Sequence, residues 1–176
     1  MLYPALLKYI LINCKNTKLL VIFVAMSLHF KTIIVTTCKE VLDTKIKFLN
    51  NALQYATDAG NNETKSTAGD KHETGRAMMQ LEQEKLGNQL VDLESQKNEF
   101  DKIDFSINHK AIANGSLIET NNEFFLIASA IGKLKIDQIT VFVISKKSPL
   151  ALILLGLKNN DTVDFNGMNY FIKNHW

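Results

Sequence analysis

Two apolar stripes, one over 34–56 and one over 79–100, lie on either side of a polar segment rich in Gly, Asn and Thr. In the first, Val35, Cys38, Leu42, Ile46, Leu49, Leu53 and Ala56 recur every three or four residues. That spacing is one face of a helix, with Lys39, Glu40, Asp43, Lys45, Lys47, Asn50 and Asn51 on the solvated side. In the second, Met79, Leu86, Leu90, Leu93 and Phe100 form the stripe, among Glu82, Glu84, Lys85, Asp92, Glu94, Lys97 and Glu99. Neither stripe alone buries enough surface to hold a helix in water, whereas two of matched length can share one seam. The pattern therefore predicts an antiparallel helical hairpin over 26–104 with its tip near 58–75. Arms of roughly 25–28 residues make a rod about 40 Å long. Gly75 and Gly87 each weaken the second arm by about 1 kcal/mol relative to Ala, and Gly75 has a use if the arms approach closely there.

Past Ile103 the period shortens to that of strands. Ser116–Thr120 and Glu123–Ala128, separated by Asn121-Asn122, read as a hairpin, and Ile139–Ser145 as a buried strand. Ser148 and Pro149 are a helix cap and first-turn pair, with Gly156 as the stop. Asn166-Gly167 between Val163–Phe165 and Met168–Ile172 is a tight-turn hairpin signal. The fold class expected is α+β: a helical coiled-coil hairpin followed by a small antiparallel β domain over 105–176.

Charge is unevenly placed. The first 31 residues carry Lys8, Lys15, Lys18 and Lys31 and no acid, so the net charge of +2 conceals a mildly acidic body. A broad basic face for nucleic acid is not expected, nor is sequence-specific DNA binding. Cys14 and Cys38 have neither disulfide-framework nor metal-ligand spacing, which fits a reducing cytoplasm. The stretch Leu19–Phe30 is too short for a clean membrane span. Residues 1–25 read in three ways: upstream sequence before a start at Met26, a signal-like segment, or a true extension.

The tip concentrates chemistry-bearing side chains: Glu63, Asp70 and Glu73 among Lys65, Lys71 and Arg76. Capping by Ser66, Thr67 or Asp70, with carboxylates placed against a helix dipole, accounts for acids here without further function. Asp70-Lys71-His72-Glu73 also has the spacing for two hard oxygen ligands on one helix face, a donor set suited to Mg²⁺. His72-Glu73 begins like a zinc-protease helix but lacks the second histidine four residues on. No phosphate-binding glycine loop is present.

The run Glu63-Thr-Lys-Ser-Thr-Ala-Gly-Asp-Lys-His-Glu-Thr-Gly-Arg-Ala-Met-Met-Gln80 resembles the Gre transcript-cleavage factors of bacterial RNA polymerase, most closely the short Gre-like proteins of Bacteroidetes-type bacteria. A second stretch, Ser148-Pro-Leu-Ala-Leu-Ile-Leu-Leu-Gly-Leu-Lys-Asn-Asn-Asp161, is similar to the Ser-Pro-Leu-Gly run of Gre C-terminal domains. The resemblance covers roughly residues 26–174. It implies an FKBP-like C-terminal domain, RNA polymerase as partner, and a tip that enters the secondary channel near the RNA 3′ end. It further implies that Asp70 and Glu73, with Glu63 as a rival for one role, deliver a Mg²⁺ shared with the polymerase. Arg76 becomes a tip contact, and the region marked by Ser148, Pro149, Gly156 and Asp161 a polymerase-docking region. On this reading the chain is no enzyme itself; it stimulates the polymerase's own cleavage of backtracked RNA. The tip departs from the family's Asp-x-x-Glu-Asn-x-Glu-Tyr, since Thr74-Gly75-Arg76-Ala77 follows Glu73. That leaves open a channel regulator without cleavage, and a coiled-coil interaction protein unrelated to polymerase.

Overall fold

The computed structural model describes residues 17–63 and 70–176; within it, 17–28, 61–63 and 70–73 are described as helical backbone alone. Helix α1 spans Thr17–Glu63 and helix α2 Asp70–Asp101. Strands β1 (Leu117–Thr120), β2 (Phe124–Ala128), β3 (Gly132–Ile136) and β4 (Ile139–Ser145) follow. Helix α3 (Pro149–Leu154) then leads to β5 (Thr162–Phe165) and β6 (Met168–His175).

The hairpin forms as its two stripes require. Cys38, Leu42, Ala56, Leu86, Leu93 and Phe100 are buried, and Val35, Ile46, Leu49, Leu53, Met79 and Leu90 are half-buried beside them. Cross-helix contacts set the register: Lys39 Nζ lies 3.4 Å from Asp101, and Lys97 Nζ lies 2.8 Å from Asp43. Gln83 Nε2 donates to the Ala56 carbonyl at 3.0 Å. These pairs have nearly constant index sums, the signature of antiparallel helices.

The arms are not of matched length. At the helical rise, α1 is about 70 Å long and α2 about 48 Å. The backbone is helical across positions 25 and 26, in a run from Leu19 to Phe30 that contains neither Gly nor Pro. At the other end α1 does not break at Gly60. A Cβ there would stand 3.3 Å from Gln83 Nε2 and 3.7 Å from Met79 Cβ, so glycine serves close helix approach rather than a turn. The polar segment between the helices shrinks accordingly to 64–69.

The sheet order is β3-β4-β2-β1-β6-β5. β2 and β4 run parallel, with Phe125 opposite Phe142, so the sheet is mixed rather than wholly antiparallel as expected. The reason is β3, whose short Gly-Lys-Leu-Lys-Ile alternation the sequence reading passed over. It takes the outer edge, pairs antiparallel with β4, and returns β4 alongside β2 in the same direction. The expected β1–β2 and β5–β6 hairpins are present. Asn166 and Gly167 both have positive φ, at 51° and 77°, the backbone a two-residue turn of this twist needs.

One core cluster joins Ile34, Cys38, Leu42, Leu93 and Phe100 of the hairpin base to Leu117, Leu126, Leu134, Val141 and Val143 of the sheet. On the opposite sheet face Ile118, Phe125, Ile127, Tyr170 and Ile172 pack with Ala151 and Leu154 of α3. The sheet is thus clamped between the hairpin base and α3. Lys31 adds a polar tie: its Nζ donates to the Trp176 carbonyl at 3.0 Å, although the residue is only 3% exposed.

Candidate functional site

The geometry of the tip follows from the hairpin register. Contacts from Lys39–Asp101 to Ala56–Gln83 hold the index sum near 140, which sets Glu63 level with Ala77. α2 begins seven residues earlier, at Asp70, so its first turns run about 10 Å past the end of α1. From Leu42, at the sheet end of the seam, to Glu63 is about 32 Å. Asp70 and Glu73 therefore lie on the outermost described turn of the hairpin, at the end away from the β domain.

Glu63 closes α1, Asp70 opens α2, and Glu73 lies three residues on. Their side chains, and the expected caps at Ser66, Thr67 and Asp70, lie outside the described residues, as do Lys65 and Lys71. Arg76 is exposed one turn further down α2. Among the described residues no group of three or more His, Cys, Asp or Glu is placed to hold a metal ion. A two-carboxylate tip completed by a partner's ligands is a different arrangement, and its donors suit Mg²⁺ by chemistry.

The residues of the second expected region each have a role in the fold. Ser148 caps α3 by accepting from Ala151 N at 3.3 Å, with Pro149 in the first turn. Gly156 has φ +87°, which favours glycine, and its N–H donates to the Ile112 carbonyl at 2.8 Å. Asp161 accepts from Lys158 N at 2.7 Å through Oδ2, while its own carbonyl accepts from Ile172 N at 2.9 Å. Next to these, Leu152 and Ile153 on the outer side of α3 are exposed.

Among the described residues, the perturbed ionisable groups lie at the hairpin root. Burial pushes the Lys31 ammonium down to about 8, partly opposed by the Asp104 carboxylate. Asp104 itself is held below the ordinary carboxylate range, first by the Ser106 hydroxyl at 2.6 Å and then by the Ser106 N–H at 2.9 Å. Burial raises the Cys38 thiol to about 12, which makes it an inert core side chain. Lys97 is shifted up, chiefly by its hydrogen bond to Asp43. None of these lies near the tip. Lys31 escaped sequence reading because a lone lysine before an apolar stripe looks like a solvated one.

No helix among the described residues is long and apolar enough to cross a membrane. No family model matches the chain, and no curated protein matches it. A solved structure described as that of the transcription factor Gfh1 aligns over 77% of this chain and 89% of its own. Identity is 19% and the TM-score 0.33, a likeness too slight to place the chain in a family.

Proposed function

We propose that this chain is a transcription elongation factor of bacterial RNA polymerase. Its rod enters the secondary channel, and its tip stimulates the polymerase's own cleavage of backtracked RNA. The observation that carries the reading is that Asp70 and Glu73, three residues apart, lie in the first described turn of the second helix, at the end remote from the β domain. A carboxylate pair so placed reaches a recessed catalytic centre that a globular domain could not enter. The resemblance of 63–80, which contains both acids, and of 148–161 to Gre factors supports the same reading.

On this reading Asp70 and Glu73 donate oxygens to a Mg²⁺ whose remaining ligands are polymerase carboxylates, RNA phosphate and water. A second metal in such a site supplies Lewis-acid stabilisation of phosphodiester hydrolysis. On this reading Glu63, at the end of α1, is the alternative donor, and the exposed Arg76 contacts phosphate or pairs with the acids. The β domain anchors the factor at the channel mouth, with the exposed Leu152 and Ile153 beside the 148–161 region as the contact surface. The protein is then cytoplasmic and has no reaction of its own.

The experiment is a cleavage assay on stalled elongation complexes with wild type and the double variant Asp70→Asn, Glu73→Gln. The variant should bind polymerase as wild type does and lose stimulated cleavage. If wild type binds but gives no cleavage at saturating Mg²⁺, the chain is a channel regulator, the reading favoured by Thr74-Gly75-Arg76-Ala77 after Glu73. Absence of any binding to polymerase removes both readings in favour of an unrelated coiled-coil interaction protein.

A further inference from the structure

The sheet ends on one side at β3 and on the other at β5. β3 pairs with β4 from Gly132 opposite Val143 to Ile136 opposite Ile139. No strand lies beyond it, and no backbone group of 132–136 bonds outside the sheet among the described residues. An edge strand turns the N–H and C=O groups of alternate residues outward, where a further extended chain can take them.

The two faces of this edge differ. Leu134, opposite Val141, lies on the hairpin side with Ile136 and Ile139 and packs into the core there. Lys133, opposite Phe142, and Lys135, opposite Thr140, stand on the side of α3. Both lysines are exposed, and among the described residues neither is ion-paired with a carboxylate. Lys133 Nζ lies 6.0 Å from the centroid of the Phe142 ring. That ring belongs to β4, so the ammonium is drawn back over the sheet and leaves the outer side of β3 uncovered. Over 129–160 the chain carries Lys133, Lys135, Lys146, Lys147 and Lys158 against the single acid Asp137. The hairpin over 34–101 has the opposite balance, 8 Lys+Arg against 12 Asp+Glu.

We infer that β3 is a docking edge for an extended segment of a partner protein in which acidic and apolar residues alternate. The segment adds to the sheet as a further strand, bonded through its main chain to β3. Its side chains alternate between the two faces with the same period of two as those of β3. Its acids then stand beside Lys133 and Lys135, and its apolar residues beside Leu134 and Ile136. Backbone bonds supply the affinity and the alternation supplies the selectivity, as in other strand additions. Lysines on an edge also repel a second copy of that edge, which guards against aggregation. The same charges attract an acidic strand, so guard and docking site are one arrangement. At the opposite edge β5 carries Asp164 and no basic residue, and repels such a segment. The inference does not rest on the polymerase reading.

The probe is a short blocked peptide of alternating Glu and Val, titrated into the full chain and followed through the backbone amide resonances by NMR. Shifts should centre on 132–136 and saturate with a Kd of about 0.1–1 mM, in keeping with a few backbone bonds and two surface charge pairs. Lys133→Glu with Lys135→Glu should weaken binding about tenfold, since each reversal turns an attraction into a repulsion. Circular dichroism should stay that of wild type, and the double variant should instead take a peptide of alternating Lys and Val. The Glu and Val peptide with every amide N-methylated keeps its charges and should not bind. Equal binding by that peptide, or by one with Glu and Val in separate blocks, overturns the inference, because attraction to lysines alone would then suffice. Absence of binding by the alternating peptide overturns it, as do shifts centred on β5 or on Lys146, Lys147 and Lys158, or indifference to the double substitution.

Discussion

Replacing Lys31 with Met should stabilise the protein at neutral pH, and by an amount that disappears in alkali. In the folded chain Lys31 is 3% exposed, donates to the Trp176 carbonyl, and has its ammonium pushed from 10.5 down to about 8 by burial. A depressed lysine means that the folded state disfavours the charged form. The penalty is complete below pH 8, is relieved as pH rises from 8 to 10.5, and is gone where both states are neutral. Taken at full value the shift is worth about 3 kcal/mol, and residual solvation of the ammonium reduces this to about 1–2 kcal/mol. Methionine keeps most of the side-chain volume without the charge, at the loss of one hydrogen bond worth about 0.5–1.5 kcal/mol. The Trp176 carbonyl still accepts from Leu117 N at 2.9 Å, so it is not left bare. Urea unfolding followed by the fluorescence of Trp176, the single tryptophan, reads the effect at the hairpin–sheet junction itself. Subtracting wild type from Lys31→Met at each pH cancels the other lysines and tyrosines. That difference should fall by about 1–2 kcal/mol between pH 7 and pH 10.5. A difference constant with pH would refute the argument, because Lys31 would then titrate alike in both states.

Leu42→Ala empties a wholly buried site between hairpin and sheet and should cost about 2–5 kcal/mol, lowering Tm by about 5–15 °C in calorimetry. A loss under about 1 kcal/mol would mean the hairpin base is not seated on the sheet. Gly87→Ala should raise Tm by about 2–4 °C, since a Cβ there meets nothing within 4 Å and helix propensity gains about 1 kcal/mol; an unchanged or lower Tm counts against a regular helix at that point. Ser148→Ala removes the cap of α3 and should cost about 1 kcal/mol in urea unfolding, with Ser148→Thr largely restoring it.

The helical period of 34–56 and 79–100 was legible in the sequence because a stripe every three or four residues has one economical use, a shared seam. The seam residues named from spacing are those that lie buried or half-buried between the helices. Ser148-Pro149, Asn166-Gly167 and Asn121-Asn122 were equally readable, since caps and tight turns are local events whose chemistry stays within a few residues. At the tip, sequence supplied the identities of Glu63, Asp70 and Glu73, whose side chains lie outside the described residues.

What required the tertiary structure was everything set by a distant partner. Gly60 reads as a helix breaker alone, yet the helix runs through it, at a place where Gln83 and Met79 leave little room for a side chain. β3 buries only Leu134 among its five residues and so gives a weak strand signal, yet the edge it occupies decides that β4 runs parallel to β2. Lys31 and Trp176 are 145 positions apart, and no local pattern foretells that one donates to the other. Phe48 and Tyr55 lie off the seam and stay exposed, at 70% and 77%, which spacing alone does not reveal. Sequence alone thus determined two helices, their common seam, the local turns and the acids at the facing helix ends. The meeting of remote segments decided how far each helix runs, which way the central strands point, and which apolar residues remain uncovered. Local preference is set by neighbours within a turn or a strand pair, whereas burial is a property of the whole packed chain.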